Sequence, residues 1–320
     1  MKGQMKNRFY KDEKTVLDRQ TSLIWSLDAS PGEFPVSWAE AFHFVQSLNG
    51  QRYQNYNDWR LPNRKELFSL VSHDHINPAL PAGHPFKNIF HGYYWTATTC
   101  DRLPDQAWYV HLGGAKIYRG MKYASYMVWP VRSAKQVSPG VFFTGQHQCY
   151  DDRGNTLSCN HDPLQAASVH AGIKWPNPRF KITGKTAKDR LTGLIWSIDA
   201  AYTEAFVTWE KAWEIIAQMN IEEVFGFKNW RIPHIREFES LTDMGTHSPA
   251  LPAGHPFVNL QDFYWSGTTS MYELRYAWTL YLQDGALGVG FKSQPEFFLW
   301  PVCGKFLQTG TYSDTGLNVW

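Results

Sequence analysis

The sequence predicts an α+β protein made of two tandem copies of one domain, each with two helices and a twisted antiparallel sheet. Six tryptophans of the first half recur 170 or 171 residues later, from Trp25 and Trp196 to Trp129 and Trp300. The decapeptide at 77–86 returns at 248–257 with one change. In both halves, helical periodicity precedes alternating strand patterns. We therefore expect a duplicated domain whose tryptophans mostly fill two equivalent cores.

Repeat boundaries divide the chain into four parts. We expect a first domain at 1–133, a linker at 134–178, a second domain at 179–304 and a tail at 305–320 that resembles the start of the linker. Each domain is close to the commonest domain size.

Two helices are expected at the start of each copy. Ser37 and Glu40 form a capping-box pattern, followed by apolar residues at helical spacing, which predicts a helix of about twelve residues. Thr208 begins the matching helix of the second copy. A second short helix follows Asn63, with Glu66 three residues later.

Strands are expected in the remainder of each copy. In the first they cover 93–99, 107–112, 115–118 and 126–131, with a turn at Gly113 and Gly114. In the second copy Asp284 and Gly285 supply the corresponding hairpin turn.

Composition limits the classes of function. With 320 residues, 43% hydrophobic and 19% charged, the chain is too apolar to be disordered. Its longest strongly apolar run, 297–303, is far shorter than the roughly 20 residues of a membrane helix. A net charge of +2 and a pI near 8.2 give no general field for nucleic acid. The 15 Trp, 16 Tyr and 20 Phe predict aromatic cores, ring-lined ligand sites, or both.

The cysteines bear on the cellular compartment. Cys149 and Cys159 flank a turn-forming stretch, and we expect a disulfide between them, the alternative being two reduced thiols. Such a bridge would contribute roughly 2–3 kcal/mol and favours the periplasm or cell surface. The N-terminus carries no signal peptide as written, so either the chain is not exported or a leader was removed. Cys100 and Cys303 have no counterparts, and no chemistry is assigned to them.

Several segments in order resemble one bacterial family. They are 23–25 (Leu-Ile-Trp), 58–62 (Asp-Trp-Arg-Leu-Pro) with Glu66, 94–96 (Tyr-Trp-Thr), 107–108 (Ala-Trp) and 128–132 (Val-Trp-Pro-Val-Arg). This set resembles domain of unknown function 1566, also known as the C-terminal domain of the Legionella collagen-like adhesin. The resemblance covers both copies and the linker.

The resemblance implies a C-type-lectin-like fold whose irregular loops bind the ligand. The family's adhesin recognises sulfated polysaccharides, although its collagen-like stalk has no counterpart here. The Trp-Arg-Leu-Pro element also resembles formylglycine-generating-enzyme domains, but the cysteines that this chemistry needs are missing from both copies. We therefore expect a non-enzymatic protein without a cofactor, and an oxidoreductase of that type is the less favoured alternative. Calcium is a possible ligand that nothing in the sequence supports.

Two sets of polar residues have structural interpretations. Arg60 with Glu66, and Arg231 with Glu237, are expected to join a loop to a helix start. Acid–base chemistry or calcium coordination is the alternative, weakened because Asp58 becomes Asn229. A metal site at His73, His75 and His84 is disfavoured because only His84 recurs, as His255.

The candidate ligand-binding residues lie between the last strands, where the two copies diverge. The domain at 1–133 carries net charge +5 and the rest of the chain −3. The candidates are Arg102, Lys116, Tyr118, Arg119, Lys122, Tyr123, Tyr272, Arg275, Phe291 and Lys292. Rings stack on sugars, and cations pair with acidic groups, so we expect a glycan, including an anionic polysaccharide, to bind there. A protein partner at the cell surface is the alternative.

Overall fold

A computed structural model describes residues 8–134, 140–160, 162, 164–305, 311–312 and 318–319. The first domain contains β1 (Phe9–Lys11), β2 (Thr15–Asp18), β3 (Leu23–Ser26), α1 (Trp38–Gly50), α2 (Arg64–Leu70), β4 (Tyr93–Thr99), β5 (Gln106–His111), β6 (Lys116–Met121) and β7 (Val131–Ser133). The linker contains β8 (Cys149–Tyr150), β9 (Thr156–Leu157) and α3 (Ala166–Val169).

The second domain repeats this order. It contains β10 (Phe180–Thr183), β11 (Thr186–Asp189), β12 (Ile195–Ser197), α4 (Trp209–Ile221), α5 (Ile235–Leu241), β13 (Phe263–Thr269), β14 (Tyr276–Tyr281), β15 (Ala286–Phe291) and β16 (Val302–Cys303). In the tail, β17 (Thr311–Tyr312) pairs with β18 (Asn318–Val319). The chain is therefore an α+β protein with two tandem domains.

Local chemistry explains where the helices begin. At α1 the Glu40 carboxylate accepts from the Ser37 backbone N–H at 2.8 Å, and Ser37 in turn accepts from Glu40. Asn63 and Glu66 form the same reciprocal pair at α2. These caps satisfy N–H groups that have no partner within the helix. Among the described residues, no helix is long and apolar enough to cross a membrane.

The sheets differ from the sequence expectation in two respects. Strands β1, β2 and β3 precede the helices, and the last strand, β7, completes their four-stranded sheet; β10, β11, β12 and β16 do the same in the second domain. The strand expected at 126–131 is irregular: Tyr126 and Met127 form only isolated bridges, and regular pairing begins at Val131. Pro130, which has no N–H to donate, stands immediately before this strand.

The remaining strands of both domains form one sheet. Its order is β13-β14-β15-β6-β5-β4, so β6 of the first domain lies against β15 of the second. The pairing is antiparallel and consists of Ile117 with Leu287, which are 170 positions apart and hence equivalent in the repeat. A pair of equivalent residues facing each other in this way indicates a local two-fold relation between the domains.

The hydrophobic interior also crosses the junction. One buried cluster includes Leu67 of α2, Phe238 of α5, Ile117 and Leu287. Two smaller clusters fill the space between the long helix of each domain and the sheet. The two domains therefore share both a sheet and a core.

Candidate binding site between the two domains

Buried charges hold α2 of the first domain to the second domain. The Arg64 guanidinium lies 2.6 Å from the Glu239 carboxylate, and both side chains are fully buried. Arg64 also donates to the Gly285 carbonyl at 2.5 Å. The pair neutralises both charges away from water, so neither side chain can be removed without leaving the other unmatched.

A reciprocal contact shows that the junction is nearly symmetric. Lys65 Nζ donates to the carbonyls of Glu239 at 2.8 Å and Thr242 at 2.9 Å. Arg236, equivalent to Lys65, donates to the carbonyl of Val71, equivalent to Thr242. Burial lowers the pKa of Lys65 to about 8 and that of Arg236 to about 9.

An open cleft of about 540 Å³ lies beside the Ile117–Leu287 pair. Both domains contribute to its wall, and five of its side chains are Tyr or Trp. The lining residues are His111, Gly114, Lys116, Tyr118, Ser270, Tyr272, Glu273, Tyr276, Trp278, Tyr281, Gly288 and Val289. Tyr272 is 68% exposed, whereas Trp278 is buried.

Few charges face this cleft. Among its described lining residues, Lys116 is the only Lys or Arg and Glu273 the only carboxylate. The Lys116 ammonium stacks over the Tyr118 ring, 4.7 Å from its centroid. Arg275 pairs with Glu273 at 2.9 Å, and these hydrogen bonds lower the pKa of Glu273 to about 2. Partial burial lowers the pKa of His111, which favours its neutral form.

A second aromatic hollow continues from the cleft along the second domain. It shares Tyr276, Tyr281 and Val289 with the cleft and adds Phe291 and Phe297, in a volume of about 430 Å³. The rings of Tyr276 and Phe291 lie 5.3 Å apart.

Only some of the ligand-binding residues expected from sequence lie at the cleft. Lys116, Tyr118 and Tyr272 line the cleft. Phe291 lines the neighbouring hollow, and Arg275 holds Glu273 at the rim. Residues from two separate stretches of sequence are thus brought to one place by the β6–β15 pairing.

Lys122 requires a correction, because it is buried and cannot serve as a surface cation. Its Nζ donates to the Asp151 carbonyl at 2.7 Å and lies 4.0 Å from the centroid of the Trp38 ring. Burial lowers the pKa of Lys122 to about 7. The linker thus covers Lys122, and the hydrogen bond from Lys122 holds the linker against the first domain.

Three further cations are already engaged. Arg119 pairs with Asp284 at 2.7 Å, and Arg102 lies 4.0 Å from the same carboxylate. Lys292 donates to Thr269 Oγ1 at 2.9 Å and stacks over Trp209. Tyr123 is 78% exposed but is not among the residues of the cleft. The cationic ligand surface expected from sequence is therefore largely used for internal contacts.

The two Arg–Glu pairs to which a structural role was assigned join a loop to the start of a helix. Arg60 donates to both Glu66 oxygens at 2.6 Å, and Arg231 binds Glu237 in the same manner. Asp58 accepts from Arg132 at 2.6 Å. A disulfide joins Cys149 to Cys159, with the Cα atoms 5.3 Å apart. Cys100 and Cys303 are buried free thiols, and burial raises the pKa of each to about 11.

The described residues offer no group of three or more His, Cys, Asp or Glu side chains that could hold a metal ion. His73 is buried between His234 and Trp278, with ring centroids 5.9 and 5.2 Å away. Burial lowers its pKa well below the ordinary value. His73 therefore acts as an aromatic core residue of the junction.

Sequence reasoning missed several cleft residues. Tyr276, Trp278, Gly114 and Val289 line the cleft but were not selected as ligand-binding candidates. Trp278, the equivalent of Trp108, is expected in the core, and it is buried there as well as lining the cleft. A usable signal was the contrast between equivalent positions: Gly114 stands where the second copy has Asp284, and Val289 where the first has Arg119.

The family model described as the Lcl C-terminal domain matches residues 14–132 and 185–303. A search of curated proteins finds no significant match.

Proposed function

Because the chain belongs to the Lcl C-terminal domain family, in two tandem copies, we propose that it is a non-enzymatic recognition protein of the cell surface or periplasm. Its ligand is a glycan, and its binding site is the aromatic cleft between the domains. The two helices and antiparallel strands of each copy support a C-type-lectin-like fold, in which loops beside the sheet carry the binding residues.

The observation that carries this proposal is the aromatic wall of the cleft. Tyr118, Tyr272 and Tyr276 come from both domains and face a single open space. Flat rings offer apolar faces to sugar C–H groups, and tyrosine hydroxyls can bond to sugar hydroxyls. A largely preformed concave site with several rings and few charges is suited to a saccharide.

The disulfide supports the proposed location. A bridge between Cys149 and Cys159 persists in oxidising compartments, such as the periplasm or the cell surface. Family membership supports an adhesin-like role in the same compartments.

We expect the cleft tyrosines to determine affinity. Tyr272→Ala and Tyr276→Ala should each weaken binding to a glycan-array hit by about tenfold, since stacking contributes on the order of 1 kcal/mol per ring. Isothermal titration of the full chain measures this. Tyr123→Ala is the matched control, because Tyr123 is exposed outside the cleft. Equal losses in all three variants would contradict the assignment.

A protein partner is the second candidate, supported by a separate observation. Met271 and Leu274 are exposed beside Tyr272 on the loop between β13 and β14. An apolar loop tip of this kind fits a protein interface. Met271→Ser with Leu274→Ser should leave glycan affinity unchanged and weaken only protein capture; loss of glycan affinity would assign the loop to the sugar site.

A further inference from the structure

Equivalent positions on the two sides of the junction can be compared directly. The hydrogen bond from the Gln106 N–H to the Leu103 carbonyl recurs from Tyr276 to Glu273. Likewise, the bond from the Lys122 N–H to Asp105 recurs from Lys292 to Arg275. The constant offset of 170 residues makes Gly114 equivalent to Asp284, Val289 to Arg119 and Tyr272 to Arg102.

One side of the junction is closed by charged side chains. Arg119 and Asp284 form an ion pair in which 14% and 4% of the two side chains remain exposed. Arg102 lies against the same carboxylate, and the Arg64 guanidinium covers the Trp108 ring at 4.1 Å. This side is therefore occupied by the protein's own side chains.

On the other side, the positions equivalent to the ion pair carry almost no side chain. Gly114 has none and Val289 is short, and both line the open cleft. Where the closed side has Arg102, the cleft has the ring of Tyr272. The difference between an ion pair and an open aromatic cleft thus follows from three pairs of residues.

We propose that the cleft is a single composite site for an uncharged saccharide, opened by Gly114 and Val289, and that its counterpart is closed by Arg119 and Asp284. This inference rests on the proposed function and adds the class of sugar, the number of sites and the residues that create the opening. The site requires both domains, because β6 and β15 each supply part of its wall.

The charges of the cleft favour an uncharged ligand. Arg275 already neutralises Glu273, so Lys116 is the one charge left against five Tyr and Trp rings among the described lining residues. Arg102, Arg119 and Lys122, which could attract sulfate or carboxylate groups, are engaged by Asp284 and by the carbonyls of the linker. Stacking on rings therefore dominates over ion pairing.

The test builds the closed arrangement into the open side. Gly114→Asp with Val289→Arg reproduces the Asp284–Arg119 pair at the equivalent positions. A Cβ at Gly114 meets no atom closer than the Tyr272 ring at 3.4 Å, an ordinary contact. Val289→Arg alone is the second variant, because Val289 is 40% exposed and tolerates a longer side chain. Val258→Arg is the matched control, because Val258 is 51% exposed and is not among the residues that line the cleft.

Binding is measured by isothermal titration of the folded full chain with cellohexaose, maltohexaose, mannohexaose and chitohexaose, and with a heparin hexasaccharide as the charged probe. We expect a neutral probe to bind with the same affinity at low and high salt. Both cleft-filling variants should weaken it more than about tenfold, and the control should retain the parent affinity.

The outcomes separate this inference from the proposed function. If a neutral probe binds the parent and the cleft-filling variants equally, the cleft is not the site, while glycan recognition stands. If only heparin binds and high salt abolishes it, the uncharged class is wrong. If no glycan binds on a broad array either, the proposed function fails and the inference fails with it.

Discussion

Burial changes the role of individual residues that look alike in sequence. Lys116 and Lys122 lie on and just after one strand, yet Lys116 is exposed at the cleft and Lys122 is enclosed by the linker. Lys122 finds carbonyl acceptors and the Trp38 ring there, so its ammonium is held without a carboxylate in direct contact. Because burial lowers its pKa to about 7, Lys122 loses its proton at a pH where an exposed lysine stays charged.

We expect Lys122 to make stability depend on pH. Its pKa falls from 10.5 to about 7 on folding, so between these values the unfolded chain binds more protons than the folded one. The free energy of unfolding therefore rises with pH across this window, by up to about 1.4 kcal/mol per pH unit, and the contribution is constant below it.

Lys122→Met should remove this slope, as measured by urea unfolding at several pH values between about 7 and 10. Lys292→Met is the control at the equivalent, less buried position, where a smaller change is expected. A parent and a Lys122→Met variant with parallel pH profiles would contradict the prediction.

Among the secondary-structure elements, those of the linker form a small unit that is closed by a disulfide. Strands β8 and β9 form a short hairpin closed by the Cys149–Cys159 bridge. Helix α3 lies behind it: Ser168 Oγ is 3.1 Å from the Cys149 sulfur, and the Gln165 amide donates to the Tyr150 carbonyl at 2.8 Å. The hairpin thereby holds the carbonyls that bind Lys122.

Loss of the bridge should loosen this hairpin. Cys149→Ser with Cys159→Ser removes the constraint on a loop of 10 residues, which is worth roughly 2–3 kcal/mol. Trypsin should then cleave faster after Arg153, which is exposed between β8 and β9. Reduced parent protein should behave like the variant. Equal cleavage rates for oxidised parent and variant would show that the hairpin is held by its other contacts.

At the scale of the whole molecule, duplication has produced one body with a nearly symmetric junction. The six-stranded sheet and the shared core tie the folding of each domain to the other. The symmetry is broken at a few positions, where Arg64 with Glu239, and Arg119 with Asp284, have no charged equivalents. These differences distinguish the closed side from the cleft.

Glu239→Ala should destabilise the entire chain. It leaves the fully buried Arg64 guanidinium without its carboxylate, at a cost of about 3–5 kcal/mol. Calorimetry should show a single transition for the parent, moved to lower temperature in the variant. Glu214→Ala, which breaks an exposed pair with Lys211, should cost at most about 1 kcal/mol. Similar losses in both variants would contradict a central role for the buried pair.

Local features of each domain could be predicted from sequence. The caps at Ser37 and Asn63 and the 170-residue repeat are written in short-range patterns. Strands β1 and β10 are not evident from the sequence because they are short and mostly exposed, with little alternation. The stretch before Val131 has the apolar residues of a strand. It is irregular because it passes from the sheet that contains β4 to the sheet that contains β3.

The sequence by itself determined the duplicated α+β domain, its helix starts and its family, because spacing and repeated motifs depend on neighbours along the chain. Only the tertiary structure decided which rings and cations face solvent. The pairing of Ile117 with Leu287 brings together residues 170 positions apart, and no local pattern encodes that contact. It leaves a cleft beside Gly114 and Val289 and uses Arg119 and Asp284 to close the opposite side.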